Sequence, residues 1–228
     1  MKNFLPALVF CGCGIAASAR AAGQTAQVAP GLASAPVLSE RLFSAVENAD
    51  TGAVTQLLAQ GARPDAQNPQ GDTPLMAAVN LRREELVKLL LDKGANPALA
   101  DASGCTALDY AARNGDLDAV NLLLARNAPV NAKDGRGMTP LLYAVGAHDL
   151  DLVNVLLAKD ADVEARDAQG WTPLMSAASG GWTEIVSALL AHKAAVNDKS
   201  NDGATALSLA VASRQTETAG LLRMKGAL

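Results

Sequence analysis

Gly71-Asp72-Thr73-Pro74-Leu75 returns as Gly104-Cys105-Thr106-Ala107-Leu108, Gly137-Met138-Thr139-Pro140-Leu141, Gly170-Trp171-Thr172-Pro173-Leu174 and Gly203-Ala204-Thr205-Ala206-Leu207. The threonines stand 33 residues apart every time, and a fixed period of that size marks one supersecondary unit stacked on the next. Local chemistry says what each copy builds. Thr before Pro starts a helix: the hydroxyl accepts an N–H left free in the first turn, and Pro fits the first helical position. The Gly two residues earlier can take a positive φ in the preceding turn. A short apolar helix follows, as in Leu75-Met76-Ala77-Ala78-Val79. After a polar loop comes a second apolar segment, as in Leu86-Val87-Lys88-Leu89-Leu90-Leu91 and Ile185-Val186-Ser187-Ala188-Leu189-Leu190. Apolar residues recur at three and four, which is the helical period.

These residues resemble the ankyrin repeat family, whose pattern runs from a turn through T-P-L-H-x-A-A and a helix hairpin to G-A-x-V-N. The resemblance covers about five-sixths of the chain. It implies an all-α solenoid of stacked helix-turn-helix units joined by β-hairpin-like turns. The repeats are expected at 38–70, 71–103, 104–136, 137–169, 170–202 and 203–228, the first and last being atypical, as capping repeats are. The family's His after T-P-L is replaced by Met76, Asp109, Leu142, Met175 and Ser208, so its hydrogen bonding must be replaced or absent. The Gly that ends the second helix survives as Gly61, Gly94 and Gly226, but Asn127, Asp160 and Lys193 stand there in the other repeats. Asn and Asp tolerate left-handed geometry better than Lys does, so strain or a different turn is expected at Lys193.

The N-terminus differs in kind. Lys2, the apolar run Phe4 to Phe10 and the small-residue sites Ala17-Ser18-Ala19 and Ala19-Arg20-Ala21 read as a secretory signal peptide over residues 1–22. Periplasmic export is the expectation; a lipid anchor through Cys13, or Cys11, is the alternative. Residues 23–37 are rich in Ala, Gly, Gln, Pro and Ser, carry no charge and read as a flexible linker, with order beginning near Leu38. Removing the signal leaves Cys105 as the one thiol, so no internal disulfide is available. A formal net charge of −4 argues against a general nucleic-acid footprint, which is usually basic. No apolar run of about 18 residues follows the N-terminus, so no integral span is expected in the mature chain.

Chemistry is sparse. His148 and His192 lie at different phases of the period, so no metal site is expected. No phosphate loop, nucleophile elbow or triad can be assembled, so neither a catalytic residue nor a cofactor is expected. Glu84, Glu85, Asp116, Asp118, Asp149 and Asp151 precede or open second helices, where carboxylates suit the helix dipole.

The family resemblance implies a non-enzymatic scaffold that binds a protein through its turn tips and first helices, with a monomer expected. Candidate contacts are Asp72, Asn80, Cys105, Arg113, Arg136, Met138, Gln169, Trp171 and Ser179, with Pro69, Gln70, Ala102 and Ser103 beside them. Cys105, Met138 and Trp171 share one phase and are expected as a column on the turn side, with Cys105 partly exposed near a helix start. Exposed Met and Trp mark contact surfaces, and Trp is a frequent hot spot; the opposing reading folds Trp171 back over a neighbouring turn. The second functional reading is a redox or stress-related factor that forms a mixed disulfide through Cys105.

Overall fold

The computed structural model describes residues 35–228. Among these described residues, twelve helices form six antiparallel pairs: α1 (Ala35–Glu47) with α2 (Thr51–Ala59), α3 (Pro74–Asn80) with α4 (Glu84–Asp92), α5 (Ala107–Asn114) with α6 (Leu117–Ala125), α7 (Pro140–Gly146) with α8 (Leu150–Leu157), α9 (Pro173–Gly180) with α10 (Thr183–Ala191), and α11 (Ala206–Ala212) with α12 (Thr216–Met224). The first helix begins at Ala35, three residues before the expected start of order at Leu38. Pro36 sits in its first turn, where the ring's fixed φ suits a helix and its missing N–H costs nothing. The expected signal peptide and the linker up to residue 34 lie outside the described residues.

The helix starts follow the repeated motif. The hydroxyls of Thr73, Thr106, Thr139, Thr172 and Thr205 each accept the N–H three residues on. The departures from the family's His are made good in three repeats. Met76 Sδ, Asp109 Oδ2 and Ser208 Oγ accept the N–H of Thr73, Thr106 and Thr205 at 3.4, 2.8 and 2.9 Å. Among second helices, Asp50, Asp116 and Asp149 cap α2, α6 and α8.

Every positive-φ residue among the described residues falls in one of three columns of period 33. One column ends the first helices: Ala49, Arg82, Gly115, His148, Gly181 and Arg214. A second closes the repeats: Gly61, Gly94, Asn127, Asp160, Lys193 and Gly226. The third is the turn glycine: Gly71, Gly104, Gly137, Gly170 and Gly203. The turns are alike whether or not glycine occupies them, so Lys193 keeps the common geometry at φ +68 and carries the expected strain.

Two hydrogen-bond ladders join the pairs. Each turn tip receives a backbone bond from the next: Ala102, Gly135, Ala168 and Asn201 donate to the carbonyls of Gln70, Ser103, Arg136 and Gln169 at 2.9, 2.8, 2.7 and 3.0 Å. The turns form no sheet among the described residues; a single antiparallel bridge links Ala100 and Thr106. At Gly71 the approach is so close that a Cβ would lie 2.7 Å from the backbone N of Ala102. In the second ladder, side chains of the closing turn reach forward. Asp65, Asn131, Glu164 and Asn197 accept the N–H of Asn96, Asp162, Ala195 and Leu228 at 2.8, 2.7, 2.7 and 2.9 Å. The missing rung is consistent with itself: Ala98 offers no acceptor where Pro129 offers no N–H.

The core is small and aliphatic. Leu75, Leu108, Leu141 and Leu174, one per repeat, are each at most 1% exposed, as are Leu90, Leu123, Leu156 and Leu189 of the second helices. No helix among the described residues is long and apolar enough to cross a membrane.

Relief of the strain at Lys193 is directly measurable. Gly61, Gly94 and Gly226 hold the same turn without a Cβ, so Lys193→Gly is expected to stabilise the protein by up to about 1 kcal/mol. A urea titration should show a higher midpoint at unchanged slope. A midpoint equal to or below that of the native protein would mean that the left-handed turn at Lys193 carries no cost.

Candidate functional site

The tips of the stacked turns form one continuous edge. In four of the five turns an Asp or Asn folds the chain back, with Ser200 in the fifth: Asp167 Oδ1 accepts from Gln169 N at 2.9 Å and Trp171 N at 2.8 Å, while Asp167 N donates to the Trp171 carbonyl at 3.1 Å. Asn68, Asp101 and Asp134 repeat the arrangement. The two residues after each of them point outward. Pro69, Gln70, Ala102, Ser103, Ala168 and Gln169 are exposed, and Arg136 is half-buried.

The expected exposed column lies two residues further on, and it turns inward. Cys105 is buried at 2% exposure, so its expected partial exposure is corrected: Sγ lies 3.8 Å from Asp134 Oδ2 and 3.9 Å from the Tyr143 hydroxyl of the next repeat. Asp72 is buried too, accepting from Asn68 Nδ2 at 2.9 Å inside its own turn. Met138 and Trp171 are half-buried. This phase faces the neighbouring turn, and that is why its side chains are covered. On the first helices, Asn80 and Arg113 are half-buried at the ends of α3 and α5, the Arg113 guanidinium lying 4.7 Å from the Tyr110 ring centroid. Ser179 is buried at 7% exposure, its hydroxyl 3.3 Å from that of Ser213, and is withdrawn from the surface.

Cys105, Asp134, Arg136 and Tyr143 gather into one polar cluster that sequence reasoning did not assemble. Tyr143 OH donates to Asp134 Oδ2 at 2.7 Å, and Arg136 donates to the Tyr143 oxygen at 2.7 Å and to Asp134 at 3.2 Å. One period earlier Tyr110 OH donates to Asp101 Oδ2 at 2.7 Å. Burial opposes ionisation of Asp134. The Tyr143 hydroxyl, the Arg136 and Met138 N–H groups and the Arg136 guanidinium outweigh it and hold the carboxyl below the usual carboxylate range. Burial, with the bond to Asp134, pushes the Tyr143 hydroxyl up. The cluster is a clamp between the third and fourth repeats. With its thiol enclosed, the redox reading of Cys105 loses the exposure on which it rested.

Asp109 was also missed. Its phase holds Met76, Leu142 and Met175, so an acid among buried apolar residues was the available signal. It is 2% exposed, with Oδ2 bonded to the Thr106 N–H and hydroxyl at 2.8 Å each, while Oδ1 is buried without a partner. Burial raises its pKa from 3.8 to about 7, against the lowering effect of the Thr106 bonds.

Among the described residues no group of three or more His, Cys, Asp or Glu is placed to hold a metal ion. His192 is exposed at the end of α10. His148 is exposed but not isolated: its ring stacks on Trp182 at 5.0 Å between centroids, with the planes 18° apart. Counting phases would have found the pair, because Trp182 aligns with Asp149, the residue after His148, one repeat later.

The Asp109 shift has a sign. The folded carboxyl keeps its proton up to about 7, whereas the unfolded one loses it near 3.8. Stability from this group is therefore fully present below that lower value and is lost as pH rises towards the upper one, at up to about 1.4 kcal/mol per pH unit. Asp109→Asn removes the titration, so the urea midpoints of native and variant protein should diverge between about pH 4 and about pH 7, the native falling relative to the variant. Parallel curves across that range would show that Asp109 ionises normally in the fold.

Comparison with known proteins agrees with the architecture. No curated protein matches the chain significantly. A family model described as ankyrin repeats (3 copies) matches residues 42–134 and again 141–227. With six helix pairs, their Thr-capped first helices and the turn ladder on the page, and most of the sequence matched, the chain belongs to the ankyrin repeat family.

Proposed function

We propose that this chain is an exported, non-enzymatic protein-binding module that acts in the periplasm and presents its turn tips and first helices to a protein partner. Ankyrin repeats are generally protein-interaction scaffolds, which supports the binding reading. The observation that carries it is the tip edge. Exposed side chains stand at the same phase in successive repeats, on a backbone tied rung to rung by hydrogen bonds. A surface held in place before binding loses less conformational freedom on association. The edge is nearly uncharged: Arg136 and Asp202 are the only charged side chains at the five pairs of tip positions. It therefore suits a partner recognised by shape and neutral hydrogen bonds.

Of the candidate contacts, Gln169 is exposed and Trp171, Met138, Arg113, Asn80 and the clamp residue Arg136 are half-buried, beside the exposed Pro69, Gln70, Ala102 and Ser103. Asp72, Cys105 and Ser179 position their neighbours from within. The export part of the proposal rests on Lys2, the apolar run and the Ala-x-Ala sites. The thiol-based alternative gains no supporting geometry.

One experiment tests both parts. The tagged protein is recovered from the envelope fraction of its host, its mature mass is measured, and its captured partner is then titrated. The mass should place the N-terminus between Arg20 and Gly23. Trp171→Ala should weaken the partner by about thirtyfold, the loss of an interface anchor of about 2 kcal/mol, while Trp182→Ala leaves it nearly intact. Retention of Met1 would end the export reading. Unchanged affinity in Trp171→Ala and in the tip variants Ser103→Arg and Gln169→Arg, all with native circular dichroism, would end the tip-edge reading.

A further inference from the structure

The opposite edge of the stack, where the loops join first helices to second, carries a different chemistry. Glu85, Asp118, Asp151, Glu184 and Glu217 stand at one phase in five successive repeats, and all five are exposed. None of the three ion pairs among the described residues involves them. A carboxylate in the first turn of a helix is ordinary, since it meets the positive end of the helix dipole. The last part of this edge is not ordinary.

There a cavity of about 300 Å³ opens, walled by His148, Trp182, Thr183, Glu184, Ile185 and Glu217. Trp182 occupies the position at which Asp116 and Asp149 cap their helices, and it makes no capping bond. Arg83 and Gln215 at the same phase also leave their helices without a side-chain cap, so what sets this repeat apart is the indole itself. The indole is also fixed. It lies against Gly180, where a Cβ would come within 2.5 Å of the ring, and it is stacked by His148. The cavity is thus lined by a packed aromatic pair and two carboxylates, with no Lys or Arg among its lining residues.

We infer that this cavity is a second binding site, independent of the tip edge, that takes an arginine side chain from a basic segment of a partner protein. Guanidinium is planar, weakly hydrated and forks onto carboxylates, which matches an aromatic lining beside Glu184 and Glu217 better than a compact, strongly hydrated ammonium would. The remaining acids extend the site. Neighbouring helix pairs lie about 10 Å apart, and an extended chain rises about 3.3 Å per residue. In the polyproline II form, with three residues per turn and a rise of about 3.1 Å each, arginines at every third position lie on one side and would meet Glu217, Glu184, Asp151 and Asp118 in turn.

The test uses the described chain and a dye-labelled peptide with arginine at every third residue and glycine between, followed by fluorescence anisotropy at low ionic strength. Saturable binding is expected, weakened about tenfold or more by Glu184→Gln with Glu217→Gln, and several-fold by Trp182→Ala. A control pair on the turn side of the stack, Glu40→Gln with Glu164→Gln (whose amide oxygen can still accept the Ala195 N–H), removes the same charge from another surface and should change affinity less than about twofold. Thermal melts of each variant confirm the fold. Absence of saturable binding would overturn the inference, as would equal weakening by the two Gln pairs, which would reduce it to nonspecific attraction by net charge. Full affinity in Trp182→Ala and the Glu184/Glu217 variant together would place the peptide elsewhere.

Discussion

Much of the structure depends on one contact, the backbone hydrogen bond from each turn tip to the tip before it. It spans 32 residues of sequence every time, from Gln70 to Ala102, Ser103 to Gly135, Arg136 to Ala168 and Gln169 to Asn201. That fixed reach ties the spacing of the helix pairs to a repeat of constant length. It also explains the turn glycine. At Gly71 the next turn passes so near the α-carbon that only a residue without a side chain fits, apart from the positive φ the turn demands. The second ladder, from Asp65, Asn131, Glu164 and Asn197, fixes the other end of each closing turn. Stability in such a stack is close to a sum of repeats and nearest-neighbour interfaces. The polar clamp of Asp134, Arg136 and Tyr143 and the buried Asp109 therefore tune particular junctions rather than the whole.

The two edges of the stack offer two kinds of surface from the same construction. At the turn tips the Asx residues spend their side chains on the backbone, and the outward residues are small or neutral except Arg136 and Asp202. At the inter-helix loops the first turns of the second helices favour carboxylates, and the period lines those carboxylates up. An electrostatic ridge thus arises from helix chemistry repeated in register, and Trp182 with His148 gives one stretch of it a shape.

Much of this was legible in the sequence, because it rests on local rules. The Thr caps, the Pro at the first helical position and the spacing of apolar residues each act within a few residues, and repetition five times over removed ambiguity. The errors came where a side chain's surroundings belong to the next repeat. Variation at the phase of Asp72, Cys105, Met138 and Trp171 resembles exposure. Yet Cys105 is covered by Asp134 and Tyr143, which lie 29 and 38 residues away. The start at Ala35 was hidden because Ala and Pro suit a tether and a helix start equally. In the sequence Asp109 stands out only as a substitute for His; its burial follows from the company of Met76, Leu142 and Met175 at the same phase. The pairing of Ala98 with Pro129, where acceptor and donor are lost together, shows that even the exceptions follow the register.

Amide hydrogen exchange at the turn tips tests the ladder most directly. Ala102, Gly135, Ala168 and Asn201 are exposed residues, so solvent access alone would let their amides exchange quickly. If the tips are joined as described, these four amides exchange slowly, with protection approaching that of the helices they connect. Exchange at the rate of an unstructured chain at all four, with the helices protected, would show that the turns do not bind one another and that the register is held by helix packing alone.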